Sequence, residues 1–143
     1  MTEMGWPVEP DVLTELLMWV HSEYAPPRIL ITENGAAYED VVGTDDRIDD
    51  TARVAYLRDH VRAALRAKEA GVPFEGYFVW SLLDNFEWAQ GYSRRFGLVY
   101  VDLETQVRIP KLSAQWYQQV ARRGEPNGTP PERVPGAGDG ERR

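Results

Sequence analysis

Residues 74–102 read FEGYFVWSLLDNFEWAQGYSRRFGLVYVD, and this stretch decides the fold. Its first part is rich in aromatic and β-branched residues, which is the composition of a buried strand. After Trp80 the chain becomes a loop crowded with Trp, Asp, Asn, Glu and Gln, a mixture that suits a ligand with many hydroxyls better than a packed core. The stretch therefore predicts a strand, extending to about residue 82, with a binding loop at its end.

A second apolar run, Arg28–Thr32, predicts another buried strand, which ends at the turn residues Glu33, Asn34 and Gly35. Between the two strands the sequence predicts a helix. It begins at the capping cluster 49–51 and ends before Gly71, and its apolar residues are spaced by three or four: Val54, Leu57, Val61 and Leu65. The order strand, helix, strand is typical of an α/β fold with parallel strands.

The flanking segments extend this alternation. Pro10 suits the first turn of a helix, a short strand is predicted within 96–102, and a last helix is predicted over Lys111–Arg123. From residue 124 onward Pro and Gly alternate with charges. We therefore expect residues 1–123 to fold and residues 124–143 to form a disordered tail rich in Pro and Gly.

Composition narrows the function classes. The 143-residue chain carries 16 Lys and Arg against 23 Asp and Glu, so its net charge of −7 disfavours a nucleic-acid partner. There is no Cys, and no apolar stretch approaches the roughly 20 residues that a membrane span requires. No clustered ligands indicate a metal site. We expect a cytoplasmic protein with no cofactor and no membrane partner, and the aromatic content of 11% favours a carbohydrate or flat ligand.

Two groups of basic residues are predicted to lie at the protein surface. His21 and His60 lie on predicted helices among charged neighbours, so we expect both to be exposed. Four arginines recur at helical spacing with acidic residues between them, which predicts a solvated helix face: Arg53, Arg58, Arg62 and Arg66.

The candidate functional residues lie where the predicted strands end. Glu33 at such an end can serve as a nucleophile, a base or a metal ligand, or can be a turn residue that faces water. Glu87 with the neighbouring Trp88 provides an acceptor and a donor for sugar hydroxyls. Trp80 offers a flat face to a sugar ring, or alternatively packs in the core beside Phe78.

Several motifs resemble those of glycoside hydrolase family 1, the β-glucosidase family. Residues 31–35, ITENG, match its I/V-T-E-N-G motif, and residues 80–88, WSLLDNFEW, resemble its last barrel strand and loop. Residues 4–6 and 110–117 resemble flanking family segments. The similarity runs in the family's order from about residue 3 to residue 123.

This resemblance implies a TIM (β/α)8 barrel, of which the chain would be the C-terminal portion, the last two strand-helix units. It also implies a retaining β-glucosidase in which Glu33 is the nucleophile. Glu87 and Trp88 would hydrogen-bond sugar hydroxyls, Trp80 would stack on the ring, and Phe96 would line the pocket. The substrate class is a β-glucoside or a related β-glycoside. Residues 86–88, Phe-Glu-Trp, point to an unphosphorylated sugar, because family members acting on 6-phosphorylated sugars have Ser and Lys in this loop.

The family also implies parts that this chain lacks. Its members have several hundred residues, and their acid/base Glu lies in a T-x-N-E-P segment that does not occur here. Three hypotheses follow. The chain is an inactive β-glucosidase fragment, a subunit that regains activity with the N-terminal barrel portion, or a non-catalytic sugar-binding or self-associating module with exposed strand edges.

Overall fold

The computed structural model describes residues 1–124 and 126. The elements follow in this order: helix α1 (Pro10–Tyr24), strand β1 (Ile29–Asn34), helix α2 (Thr51–Glu69), strand β2 (Phe74–Val79), a 3-10 turn (Trp88–Gln90), strands β3 (Val99–Val101) and β4 (Arg108–Pro110), and helix α3 (Leu112–Arg123). The predicted tail lies outside the described residues, except for its residues 124 and 126. None of the helices in the described part has the length and apolarity needed to cross a membrane.

The β1-α2-β2 unit is the centre of the structure. Strands β1 and β2 pair in parallel, as expected for strands joined through a helix. Strand β2 ends at Val79 rather than near residue 82, because the chain leaves the ladder at Trp80 and turns into the loop. Strand β3 pairs with β4 as an antiparallel hairpin. The sequence analysis missed β4, because a strand of three residues that ends in Pro has no alternating apolar pattern to detect.

The helices cover one face of the two-stranded sheet. A first apolar cluster joins α1, α2 and both strands, and consists of Leu17, Ile31, Ala64, Ala67, Val72 and Phe74. A second cluster joins α2 to α3, and consists of Val54, Leu57, Val61, Leu98 and Trp116. Helix α2 is therefore packed on two sides, and it contributes more buried residues than any other described helix.

The opposite side of the sheet, which we call the open face, carries Leu30, Gly76 and Phe78. A Cβ atom added to Gly76 would lie 2.8 Å from a methyl carbon of Leu30, so the two residues share this face. Leu30 and Phe78 are 44% and 57% exposed. Helix α1 also exposes an apolar stripe, Val12, Leu16 and Trp19. Apolar side chains of this size are normally buried, so these two surfaces resemble faces that another part of a protein covers.

Two surface predictions for helix α2 are wrong. Arg53 is 1% exposed and His60 is 6% exposed, because both lie on the side of α2 that packs against the rest of the chain. The His60 ring stacks on the Tyr56 ring at 3.9 Å between centroids, and its Nδ1 atom lies 2.8 Å from the Tyr56 carbonyl oxygen. Arg58 and Arg66 are partly exposed and pair with acidic residues near the surface, which agrees with the predicted solvated face.

The buried His60 makes stability depend on pH. Burial lowers the pKa of His60, although the Tyr56 carbonyl and the Asp59 charge oppose that shift. The unfolded chain therefore binds this proton at a higher pH than the folded chain, and stability falls as the pH drops below about 6.5. We expect His60→Gln to reduce the slope of unfolding free energy against pH between about pH 7.5 and about pH 5.5. Urea denaturation at several pH values measures it, and equal slopes in both proteins would contradict the assignment.

Candidate active site

Glu33 and Trp80 lie at the carboxyl ends of the two parallel strands. Glu33 is the penultimate residue of β1, and Trp80 directly follows β2. The Trp80 backbone N–H donates to the Asn34 carbonyl oxygen at 3.0 Å, which joins the two strand ends. The Glu33 side chain is exposed. A carboxylate and an indole ring are thus brought to the same edge of the sheet, where α/β enzymes place their reacting groups.

Gly35 allows the chain to turn closely against β2. A Cβ atom at this position would lie 1.8 Å from the carbonyl oxygen of Trp80, which is far inside van der Waals contact. Only glycine fits this backbone approach. The turn that follows Glu33 therefore packs closely against the backbone of Trp80, the residue proposed to stack on the sugar ring.

Backbone hydrogen bonds join the two ends of the loop that follows β2. The Ser81 N–H donates to the Phe96 carbonyl oxygen at 3.2 Å, and the Leu98 N–H donates to the Ser81 carbonyl oxygen at 2.8 Å. Phe96 is 4% exposed, and its ring centroid lies 6.2 Å from that of Trp6. The Phe96 backbone thus lies beside the start of the loop, and the Phe96 ring lies next to the Trp6 ring of the N-terminal segment.

Glu87 and Trp88 lie on the outer part of this loop. The Gln90 N–H donates to the Glu87 carbonyl oxygen at 2.8 Å within the 3-10 turn, and the Glu87 N–H donates to the Gly91 carbonyl oxygen at 2.6 Å across its ends. Trp88 is 81% exposed. The neighbouring Phe86 and Tyr92 rings pack edge to face at 5.5 Å. The loop therefore exposes the Trp88 indole and two further aromatic rings beside the half-buried Glu87, a combination that suits recognition of a polyol.

A buried charge network lies beneath the two loops, and the sequence analysis did not predict it. The ammonium group of Lys111 lies 2.5 Å from an Asp40 oxygen and 3.0 Å from an Asp84 oxygen. Arg53 donates to Asp40 at 2.9 Å and also pairs with Asp50. The side chains of these five residues are at most 4% exposed. Burial opposes the Arg53 charge, but the Asp40 and Asp50 carboxylates outweigh it and raise the pKa of Arg53.

The network joins the loop after β1 to the loop after β2. Asp84 also accepts from the Gly97 N–H at 2.9 Å and from Arg95 at 2.7 Å. Asp50 accepts from the backbone N–H of Ser113 at 2.8 Å, at the start of α3. The only part of this network that sequence spacing could indicate is the Asp50–Arg53 pair, which is separated by three residues. The other partners are distant in sequence.

The family model described as Glycosyl hydrolase family 1 matches residues 1–126 of the 143-residue chain. The chain belongs to glycosyl hydrolase family 1. The relation to this family that its motifs predicted is therefore confirmed.

The family 1 chain is similar to characterised relatives along most of its length. It is 54% identical to beta-glucosidase A of Thermotoga maritima over 121 residues, covering 85% of this chain and 27% of the relative. It is 50% identical to a bifunctional beta-D-glucosidase/beta-D-fucosidase of Bifidobacterium breve, covering 82% and 26%. It is 46% identical to a 6-phospho-beta-galactosidase of Streptococcus equi, covering 84% and 26%.

A solved structure gives the same relation for the fold. The family 1 β-glucosidase of Thermotoga maritima, in complex with isofagomine lactam, superposes with a TM-score of 0.84 at 55% identity. The match covers 85% of this chain and 28% of that structure. The family 1 chain therefore has the structure of a partial TIM barrel. It spans about a quarter of the length of the relatives it matches.

Proposed function

We propose that this family 1 chain is the C-terminal part of a retaining β-glucosidase, with β1 and β2 as the last two strands of the barrel. In the complete barrel it would contribute to the hydrolysis of terminal β-D-glucosyl residues. The observation that carries this proposal is the position of Glu33 beside Trp80 at adjacent parallel strand ends. The similarity to beta-glucosidase A supports the choice of reaction.

Glu33 is the proposed nucleophile. Its exposed carboxylate would attack the anomeric carbon and expel the aglycone, which forms a covalent glycosyl-enzyme that water then hydrolyses. A retaining glycosidase needs a second carboxyl about 5 Å from the first, protonated to assist the leaving group. Asp84 is a poor candidate for that role, because Lys111 and Arg95 hold its carboxylate in the buried network. We infer that the acid/base comes from the rest of the barrel.

The sugar would bind between the strand ends and the loop after β2. Trp80 would stack on the apolar face of the ring, Glu87 would accept hydrogen bonds from two hydroxyls, and Trp88 would donate one. Phe96 would support the wall of the pocket from its buried position. The Glu87 carboxylate favours an unphosphorylated sugar, because it would repel a sugar phosphate. We therefore propose a β-glucoside or a close β-glycoside as the substrate.

The proposed partner is the N-terminal portion of a family 1 barrel. The open face and the exposed stripe of α1, which comprises Val12, Leu16 and Trp19, are the surfaces that such a portion would cover. Strands β1 and β2 pair only with each other in the described part of the chain, so each has an outer edge available for another strand. The same edges favour the alternative that the chain is a self-associating module.

Reconstitution tests the proposal. We would mix the chain with the N-terminal three-quarters of Thermotoga maritima beta-glucosidase A and measure the hydrolysis of an aryl β-glucoside. We expect activity in the mixture and none above background in either part alone, because only the mixture holds both carboxyls. A discrete complex without activity would contradict the catalytic proposal. A homo-oligomer that binds glucose and ignores the added portion would favour the self-associating module.

A further inference from the structure

Strand β1 contains one extra residue immediately before its carboxyl end. Ile31 pairs with Tyr77 and Asn34 pairs with Val79, so Thr32 and Glu33 on β1 face the single residue Phe78 on β2. This two-to-one count defines a β-bulge. Bulges redirect the side chains that follow them, because each extra residue reverses the alternation between the two faces of a sheet.

The bulge changes the face on which Glu33 lies. Ile31 points toward the helices and packs in the first apolar cluster. In a regular strand Glu33 would point the same way, since residues two apart share a face. Here it is Asn34 whose side chain reaches the helix side, where Tyr77 packs against both apolar clusters. Glu33, which precedes Asn34, is thereby directed to the open face, where its side chain is exposed.

A partly buried tyrosine on β2 holds the Asn34 side chain on the helix side. The Tyr77 hydroxyl donates to the Asn34 Oδ1 atom at 2.5 Å. Burial raises the pKa of Tyr56 on α2, and the nearby Asn34 side chain partly offsets that shift. Burial, with smaller contributions from Tyr56 and Tyr117, strongly raises the pKa of Tyr77, so its hydroxyl keeps its proton and stays a donor.

We propose that the Asn34 side chain, anchored by Tyr77, fixes the bulge and so keeps Glu33 on the open face. Asn34 and Tyr77 are then positioning residues, and Glu33 is the residue they position. The inference uses the proposed function for the role of Glu33, but the anchoring itself can be tested without any catalysis. The anchor acts through the strand register, because slipping by one residue would turn Glu33 into the apolar helix layer.

The test is amide hydrogen exchange on the whole chain carrying Tyr77→Phe or Asn34→Ala. The reporting amide is that of Trp80, which donates to the Asn34 carbonyl oxygen, together with the amides of β1. We expect protection at these amides to fall by about tenfold in each variant, because the bulge loses its anchor. The double variant should show little further loss, since both substitutions remove the same interaction.

Tyr117→Phe is the matched control. The Tyr117 hydroxyl also donates a hydrogen bond from a partly buried phenol, to the Tyr77 carbonyl oxygen at 2.6 Å, but no hydrogen bond joins it to Asn34 in the described structure. We expect this variant to lose little protection at Trp80. Equal losses in Tyr77→Phe and Tyr117→Phe, or losses spread over the whole chain, would overturn the proposal, as would unchanged protection at Trp80.

A second readout separates this inference from the proposed function. In the reconstituted enzyme, Tyr77→Phe should lower kcat while leaving KM within about twofold, because a misplaced nucleophile affects the transition state more than substrate binding. If Trp80 loses protection but reconstitution yields no activity even with the unmodified chain, the anchor stands and the proposed function fails. If activity appears and protection at Trp80 does not change, the anchor is overturned alone.

Discussion

Replacing Glu33 with Gln is expected to lower aryl β-glucoside hydrolysis by the reconstituted enzyme at least about 10³-fold. The amide is nearly the same size as the carboxylate but cannot form the glycosyl-enzyme. Because the Glu33 side chain is exposed in this chain, the substitution should leave the fold intact. The measurements are kcat/KM for a chromogenic β-glucoside and the thermal unfolding midpoint of each protein.

Glu39→Gln provides the control for this prediction. Glu39 is another exposed carboxylate, on the loop that follows β1, so the substitution removes the same charge without removing the proposed nucleophile. Its kcat/KM should stay within about threefold of the unmodified chain. A Glu33→Gln enzyme that retains more than about a tenth of the activity would rule out Glu33 as the nucleophile.

Replacing Lys111 with Met is expected to destabilise the chain by about 3–5 kcal/mol, the range for breaking a buried ion pair from one side. Met roughly conserves the length of the side chain but leaves the Asp40 and Asp84 carboxylates without their shared cation. Asp40 still contacts Arg53 and Asp84 still contacts Arg95, so part of the network survives. Urea denaturation of the chain and the variant measures the difference in unfolding free energy.

Arg66→Met is the matched control, because Arg66 pairs with Asp11 at the surface. Removing a solvent-exposed pair should change the unfolding free energy by at most about 1 kcal/mol. Adding Asp40→Asn to Lys111→Met should recover part of the loss, since one of the uncompensated charges is then removed. If Lys111→Met destabilises no more than Arg66→Met, the network does not hold the loops together as described.

The β1-α2-β2 unit could be predicted because its signals are local. An apolar run ending in turn residues indicated each strand, and apolar spacing by three or four indicated α2. Periodicity also identified the face of α2 that contains Val54 and Leu57, but it could not reveal that α1 and α3 cover the helix on two sides. For that reason Arg53 and His60 were assigned to the solvent. A basic residue therefore indicates an exposed position only where no carboxylate from another part of the sequence pairs with it in the fold.

The site was predictable in part for the same reason. The rule that reacting groups follow parallel strands, together with the family motif, singled out Glu33 and Trp80, and the structure joins their strand ends by a hydrogen bond. The network could not be found this way. Lys111 and Asp40 are 71 residues apart in sequence, and neither lies in a recognisable spacing. The bulge at Glu33 was also hidden, because its register depends on the partner strand.

The shared cation at Lys111 also constrains how this segment can be recombined with its relatives. Consider a chimera that exchanges only the loop containing Asp40, or only the loop containing Asp84. Its carboxylate would come from one parent, and the lysine and arginine that it contacts would come from the other. Because Lys111 lies within hydrogen-bonding distance of both carboxylates, Asp40 and Asp84, the two loops and the start of α3 should be exchanged together. Crossover points for directed recombination are therefore best placed before strand β1 or after Ser113, and not between them, which also keeps Asn34 together with Tyr77.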